Sequence, residues 1–199
     1  MKHYRKPLNI VIAVIVPCAW VYMMCRGSGS LAATGLRSLK YFTVLSNLLE
    51  GLASVLFLCS VPHSPLLKYI AGIAVTLTFM TVLCFLGPVF GYAFMFRGAN
   101  FWFHLVVPLL AIGELLVMDD VRHSRKDSLM AVLPLFLYGT FYMGNILLNG
   151  TGSWPRSNDW YGFARWGIPQ GIALFVLFCL LTYLGARLIT RAAAFFHQS

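Results

Sequence analysis

Six apolar stretches, at about 8–25, 41–61, 67–95, 100–118, 129–148 and 168–190, occupy most of this 199-residue chain. Each approaches or exceeds the roughly 20 residues that carry a helix across the hydrocarbon layer of a bilayer. Within that layer every backbone N–H and C=O must find its partner inside the segment, which leaves the helix as the natural conformation of such a stretch. The chain is therefore expected to be an all-α, multi-pass transmembrane helical bundle of about six spans. Only 11% of its residues are charged, against about 25% in an ordinary soluble domain. Little length remains for anything else, so residues 1–199 read as a single integral membrane domain.

The punctuation between the stretches refines this picture. The third stretch is long and contains Gly87-Pro88, which predicts a kink or an early exit from the membrane. Two connections are longer than the others, at about 26–39 and 149–167. The first is built from small residues. The second, NGTGSWPRSNDWYGFARW, is rich in aromatic side chains that suit a headgroup layer. The start MKHYRK followed by an apolar run imitates a signal peptide. The run is longer than a usual signal core and no clear cleavage site follows it, so a retained first helix is expected.

The formal net charge is +9. The cations sit mostly at segment ends and form no basic stripe interleaved with aromatics, so they read as topology signals and contacts for anionic headgroups rather than as a nucleic-acid surface. Lys2, Arg5, Lys6, Lys68, Arg122, Arg125, Lys126, Arg187 and Arg191 fall on one side of the expected topology. Arg26, Arg37, Lys40, Arg97, Arg156 and Arg165 fall on the other. That balance favours both termini on the inner face of a membrane, with the bacterial cytoplasmic membrane the expected location. Cys18, Cys25, Cys59, Cys84 and Cys179 form no C-x-x-C pair and read as buried free thiols. No metal or other cofactor is implied.

The informative residues are the polar ones inside the apolar stretches. Thr43, Ser46, Asn47 and Glu50 recur at helical spacing along the second stretch and form one face. A polar face of that length is costly against lipid and must turn inward. His104 is the one histidine well placed within an apolar stretch. Two stretches separate the starts of the second and fourth, so these helices run the same way and Thr43 and His104 lie at similar depth. A hydroxyl and a neutral imidazole in one dry layer are the minimum parts of a nucleophile and its base. Tyr142, Asn145 and Gln170 reach the same layer and are candidates to bind substrate, as are Ser46 and Asn47. Any of these with hydrogens to donate could steady an oxyanion. Glu50 and Glu114 lie deeper, toward the other face, where they share a proton, bond neighbouring hydroxyls or serve an ion relay. The plainer alternative for each polar group is interhelical hydrogen bonding.

The run KYFTVLSNLLEG, followed two helices later by HLVVPLL, resembles the androgen-induced and androgen-dependent TFPI-regulating membrane proteins and their bacterial relatives. The likeness extends to VLPLFLYGTFYMGN and WYGFARWG, and the Ser46-Asn47 pair looks like the bacterial branch. The resemblance implies a multi-pass threonine hydrolase that splits fatty acid esters of hydroxy fatty acids. Thr43 would match the nucleophile at the start of the second span. His104, four residues before Pro108, would match the histidine that precedes a proline. Its partners would be a lipid or fatty-ester substrate and the membrane itself. The residues alone leave two other readings open, a small proton-coupled transporter and a non-catalytic membrane scaffold. They do not set an oligomeric state.

Overall fold

The computed structural model describes residues 4–26, 35–118, 121–153 and 157–196. Lys2 and Arg156, and most of the 26–39 connection, lie outside the described residues. Among the described residues the chain is helical, without strands. Its principal helices are α1 (Arg5–Arg26), α2 (Phe42–Leu58), α3 (Ser64–Phe90), α4 (Ala99–Met118), α5 (Arg125–Asn149) and α6 (Ile168–Phe196). Five of them are long and apolar enough to cross a membrane by length and composition, and α2 is a shorter apolar helix. The expected all-α bundle is therefore what the chain forms, and each expected apolar stretch supplies one principal helix, the third ending early at Phe90 with a separate turn at Tyr92–Met95.

Proline sets the irregularities. Pro88 has no N–H to offer the Cys84 carbonyl, and α3 widens to a π turn over Val82–Leu86 just before it. Gly91, at φ +89°, then breaks the chain direction. The expected kink at Gly87-Pro88 is thus a widened turn followed by a break. Pro108 does the same in α4, where it leaves the His104 carbonyl without its usual donor. The π turn Trp102–Val106 lies directly before it. A capping box starts α5, with the Ser124 hydroxyl accepting from Asp127 N at 3.2 Å and the Asp127 carboxylate accepting from Ser124 N at 2.7 Å.

The central helix is α3, which packs against α2, α4, α5 and α6, while α1 closes the bundle against α2 and α4. Half of α3's apolar window is buried, 50%, against 11% for the peripheral α6. Two glycines let helices approach closely. A Cβ at Gly51 would stand 2.8 Å from Val16, and one at Gly72 would stand 2.8 Å from Leu115. The outward faces are apolar, with Val14, Leu52, Phe141, Val176 and Leu188 exposed. Cys18, Cys25, Cys59 and Cys84 also face outward, so these thiols are free but not buried as expected.

The polar groups are inside, and one end of the bundle holds a buried ionic cluster. The Lys68 ammonium, at the start of α3, is 1% exposed and donates to Glu50 Oε1 of α2. It also lies 3.1 Å from Glu114 Oε2 of α4 and donates to Ser54 Oγ at 2.9 Å. Arg5 Nε of α1 donates to Glu114 Oε1 at 2.9 Å, and Asn9 Nδ2 to the same oxygen at 3.0 Å. The Arg5 guanidinium rests on the Phe57 ring, 4.5 Å from its centre. Arg5 and Lys68 are therefore core residues and not the headgroup-facing topology signals expected. Glu50 and Glu114 face cations rather than each other or hydroxyls. Removing these two cations from the charge balance leaves the two sides almost even. Beside the cluster, the Tyr69 hydroxyl joins α3 to the Ser128 hydroxyl of α5 at 3.0 Å and to the Thr190 hydroxyl of α6 at 3.0 Å.

Removing one member of a buried ion pair leaves an uncompensated charge, at a cost of about 3–5 kcal/mol. Lys68→Met should therefore lower the unfolding free energy in detergent by about that amount. The double change Lys68→Met with Glu50→Gln should cost clearly less than the sum of the two single changes. Additive losses in chemical denaturation would show that the cluster does not act as a unit.

Candidate functional site

At the opposite end of the bundle, Thr43 sits in the first turn of α2. The preceding residue, Tyr41, is extended (φ −92°, ψ 132°) and supplies no side-chain cap. The exposed N–H groups of a helix start need acceptors. Phe42 N finds one in the Tyr161 hydroxyl, 2.9 Å away, although Tyr161 lies in the α5–α6 loop. This loop folds onto the bundle. Asp159 organises it: one carboxylate oxygen accepts from the Tyr142 hydroxyl, and the other accepts from Ala164 N at 3.1 Å. Trp160 Nε1 donates to the Tyr138 hydroxyl at 2.9 Å, and Tyr138 donates in turn to the Lys40 carbonyl at 2.7 Å. Rings fill the space between, with Tyr142 and Trp160 edge to face at 4.9 Å and Tyr161 stacked on Phe163 at 5.5 Å.

Beneath this aromatic layer, α2, α3, α5, α6 and the loop enclose a recess of about 680 Å³, part of it open to the surroundings. Its wall is mostly hydrocarbon. The hydroxyl-bearing side chains on it are Thr43, Thr78, Thr81, Tyr138, Tyr142 and Tyr161. The Tyr161 hydroxyl stands beside Thr43. Burial pushes this phenol up to about 12, against about 10 for a solvated tyrosine. It therefore holds its proton as a hydrogen-bond donor throughout the physiological range.

His104 sits in the π turn of α4 and is buried. Its Nδ1 lies 2.7 Å from the Met95 carbonyl. A carbonyl only accepts, so Nδ1 carries the proton and Nε2 presents a lone pair. The turn at Gly91 and Gly98 brings Met95 back to this position. Asn47 ties the two candidate residues' helices together: its Nδ2 donates to the Thr43 carbonyl at 2.7 Å and to the Phe103 carbonyl at 3.1 Å. The starts of α2 and α4 therefore share a layer, as expected. The side chains are held by different neighbours, however. His104 is not part of the recess wall, and no hydrogen bond joins its ring to the Thr43 hydroxyl among the described residues.

The remaining expected residues divide. The Ser46 hydroxyl donates to the Thr43 carbonyl at 3.1 Å and lies 3.1 Å from the Thr78 hydroxyl, fastening α2 to α3. Tyr142 reaches the recess, with its hydroxyl committed to Asp159. Asn145 is half-buried and accepts from Asn149 at 2.8 Å, and Gln170 is exposed; neither belongs to the recess wall. Both belong to helices that line the recess, α5 and α6, but their side chains are not on its wall. Glu50 and Glu114 belong to the ionic cluster at the far end. Among the described residues, no group of three His, Cys, Asp or Glu side chains could hold a metal ion. Sequence reasoning missed Tyr161 and Asp159 as individuals, although the density of aromatics around an acid in NDWYGFARW was the available signal.

No family model, curated protein or solved structure matches this chain.

Asn47→Ala removes the interhelical bond to the Phe103 carbonyl and, within α2, the bond to the Thr43 carbonyl. Each lost hydrogen bond with a buried partner costs about 1–3 kcal/mol. Denaturation in detergent should show a loss in that range, with faster amide exchange at the start of α4. An unchanged midpoint would mean that Asn47 does not hold the layer together.

Proposed function

We propose that this chain is an intramembrane hydrolase of lipid esters, such as fatty acid esters of hydroxy fatty acids, with Thr43 as nucleophile. The observation that carries the reading is the placement of the Thr43 hydroxyl on the wall of an apolar recess, beside a tyrosine that keeps its proton. The likeness of KYFTVLSNLLEG and HLVVPLL to the androgen-induced and androgen-dependent TFPI-regulating family, bacterial branch, supports it.

In this reading Thr43 Oγ1 attacks the ester carbonyl carbon, and the carbonyl π pair moves onto oxygen. The Tyr161 O–H donates to that oxyanion without transferring its proton. The threonine proton passes through water, not directly, to Nε2 of His104, the nitrogen that the Met95 carbonyl does not engage. Collapse of the tetrahedral intermediate breaks the ester C–O bond, and His104 returns the proton to the departing alcohol. Water then attacks the acyl-threonine by the same steps and releases the acid. The protein works in a membrane, the bacterial cytoplasmic membrane on this reading, with both termini inside. An apolar substrate enters sideways from the lipid, where its hydrocarbon needs no transfer from water.

The ionic cluster supports a structural role for Glu50 and Glu114 over the carrier alternative. Its charges are matched, and its residues do not line the Thr43 recess.

Purified protein assayed on long-chain esters tests the reading. Thr43→Ala should abolish hydrolysis, while Thr43→Ser retains some. His104→Gln should lower kcat by about 10²–10⁴, and Tyr161→Phe by about 10²–10³ with KM little changed. Because burial pushes the Tyr161 phenol up to about 12, the wild-type rate should not fall between pH 8 and about 10, where an ordinary tyrosine donor would begin to ionise. Full activity in Thr43→Ala would remove the proposed chemistry.

A further inference from the structure

The Thr43 recess has a neighbour on the other side of its α3–α6 wall. A second hollow, enclosing about 780 Å³ with part of it open, runs between α3 and α6 and shares Leu77, Thr81 and Phe178 with the recess. From Phe175 in the recess to Ile189 in the hollow, α6 covers about 21 Å at its rise of roughly 1.5 Å per residue. That is the span of a common long acyl tail when extended.

The lining is more apolar than its composition suggests. The Thr76 hydroxyl donates to its own helix at Gly72 O, 2.7 Å away, and the Thr182 hydroxyl to Phe178 O at 2.7 Å. Both hydroxyls are therefore committed to their own helices rather than free to bond a ligand. The hollow runs along the helix axes, from the Thr43 layer toward the end that holds the ionic cluster. A lipid ester already lies this way in a bilayer, with its carbonyl near the headgroups and its tail along the normal.

We propose that the α3–α6 groove holds the acyl chain of the ester presented to Thr43 and measures its length, so that the preferred substrates carry one long unbranched acyl tail. The inference rests on the hydrolase reading of Thr43 and deepens it. Gly185 is the gauge point. A Cβ added there meets no atom within 4 Å, so bulk at this position enters the groove rather than a packed core.

Two measurements test the groove. In the first, p-nitrophenyl esters from butyryl to stearoyl are hydrolysed by wild type, Gly185→Phe and the control Leu184→Phe, an exposed position outside the groove wall. Gly185→Phe should lower the ratio of kcat/KM for long over short esters by about tenfold or more, since losing burial of two methylenes is already worth about that much. Leu184→Phe should leave the ratio alone. An unchanged ratio in a folded Gly185→Phe protein overturns the proposal. In the second, a non-hydrolysable long-chain acyl amide bearing a diazirine near the end of its tail is photolysed in phosphatidylcholine vesicles holding the protein. Adducts should map to groove residues of α3 and α6 and disappear in Gly185→Phe. Adducts spread over the outward faces of α1 and α5 would mean annular lipid only and overturn the groove. If wild type hydrolyses no ester, the hydrolase reading fails, and the crosslinking map still decides whether the groove binds an acyl chain.

Discussion

The Lys68 ammonium, buried among Glu50, Glu114 and Ser54, is the contact on which the rest of the bundle depends. It joins α2, α3 and α4 at one point, and Arg5 extends the same cluster to α1. Packing alone holds membrane helices together weakly, because lipid tails are as apolar as leucine. A matched set of charges excluded from water has no comparable alternative partner in hydrocarbon. Sliding or rotating any of these helices would strand a charge, so the cluster fixes their register. Tyr69 carries the fastening on to α5 and α6 at the same end.

That fixed end leaves the other end free to hold a cavity. There the helices are joined by neutral hydrogen bonds, Asn47 to α4 and Ser46 to α3, and by a loop whose aromatics fold inward. The α2 start gains its missing cap from Tyr161, so the same phenol that completes the helix also overlooks Thr43. The two π turns serve this arrangement. The one before Pro108 contains His104, and the one before Pro88 lies beside both recesses, with Val82 and Leu86 on the first and Cys84 and Phe85 on the second.

Much of the fold was legible because membrane helices are written as length. Each apolar stretch became a helix within a few residues of its expected ends, and Gly87-Pro88 marked the break in α3. The shared layer of Thr43 and His104 followed from counting passes. What the sequence hid was partnership. Lys68 and Arg5 stand at segment ends, where a cation facing headgroups and a cation buried against a carboxylate look alike. Asn145 and Gln170 lie on helices that line the recess, but spacing from one sequence does not fix rotation about the axis, and neither side chain is on the wall. The 149–167 loop read as interfacial because aromatics suit that layer. Its fold onto the bundle depends on Asp159 meeting Tyr142 and Ala164, contacts that no periodicity announces.

The proposed chemistry requires the Thr43 hydroxyl to be a nucleophile. The most direct measurement is site mapping after treatment of the membrane-embedded protein with a lipophilic fluorophosphonate, read by peptide mass spectrometry. One phosphonylated residue, Thr43, is expected, with no adduct in Thr43→Ala. A wild-type protein that stays unmodified, or equal labelling of both proteins, would contradict that chemistry.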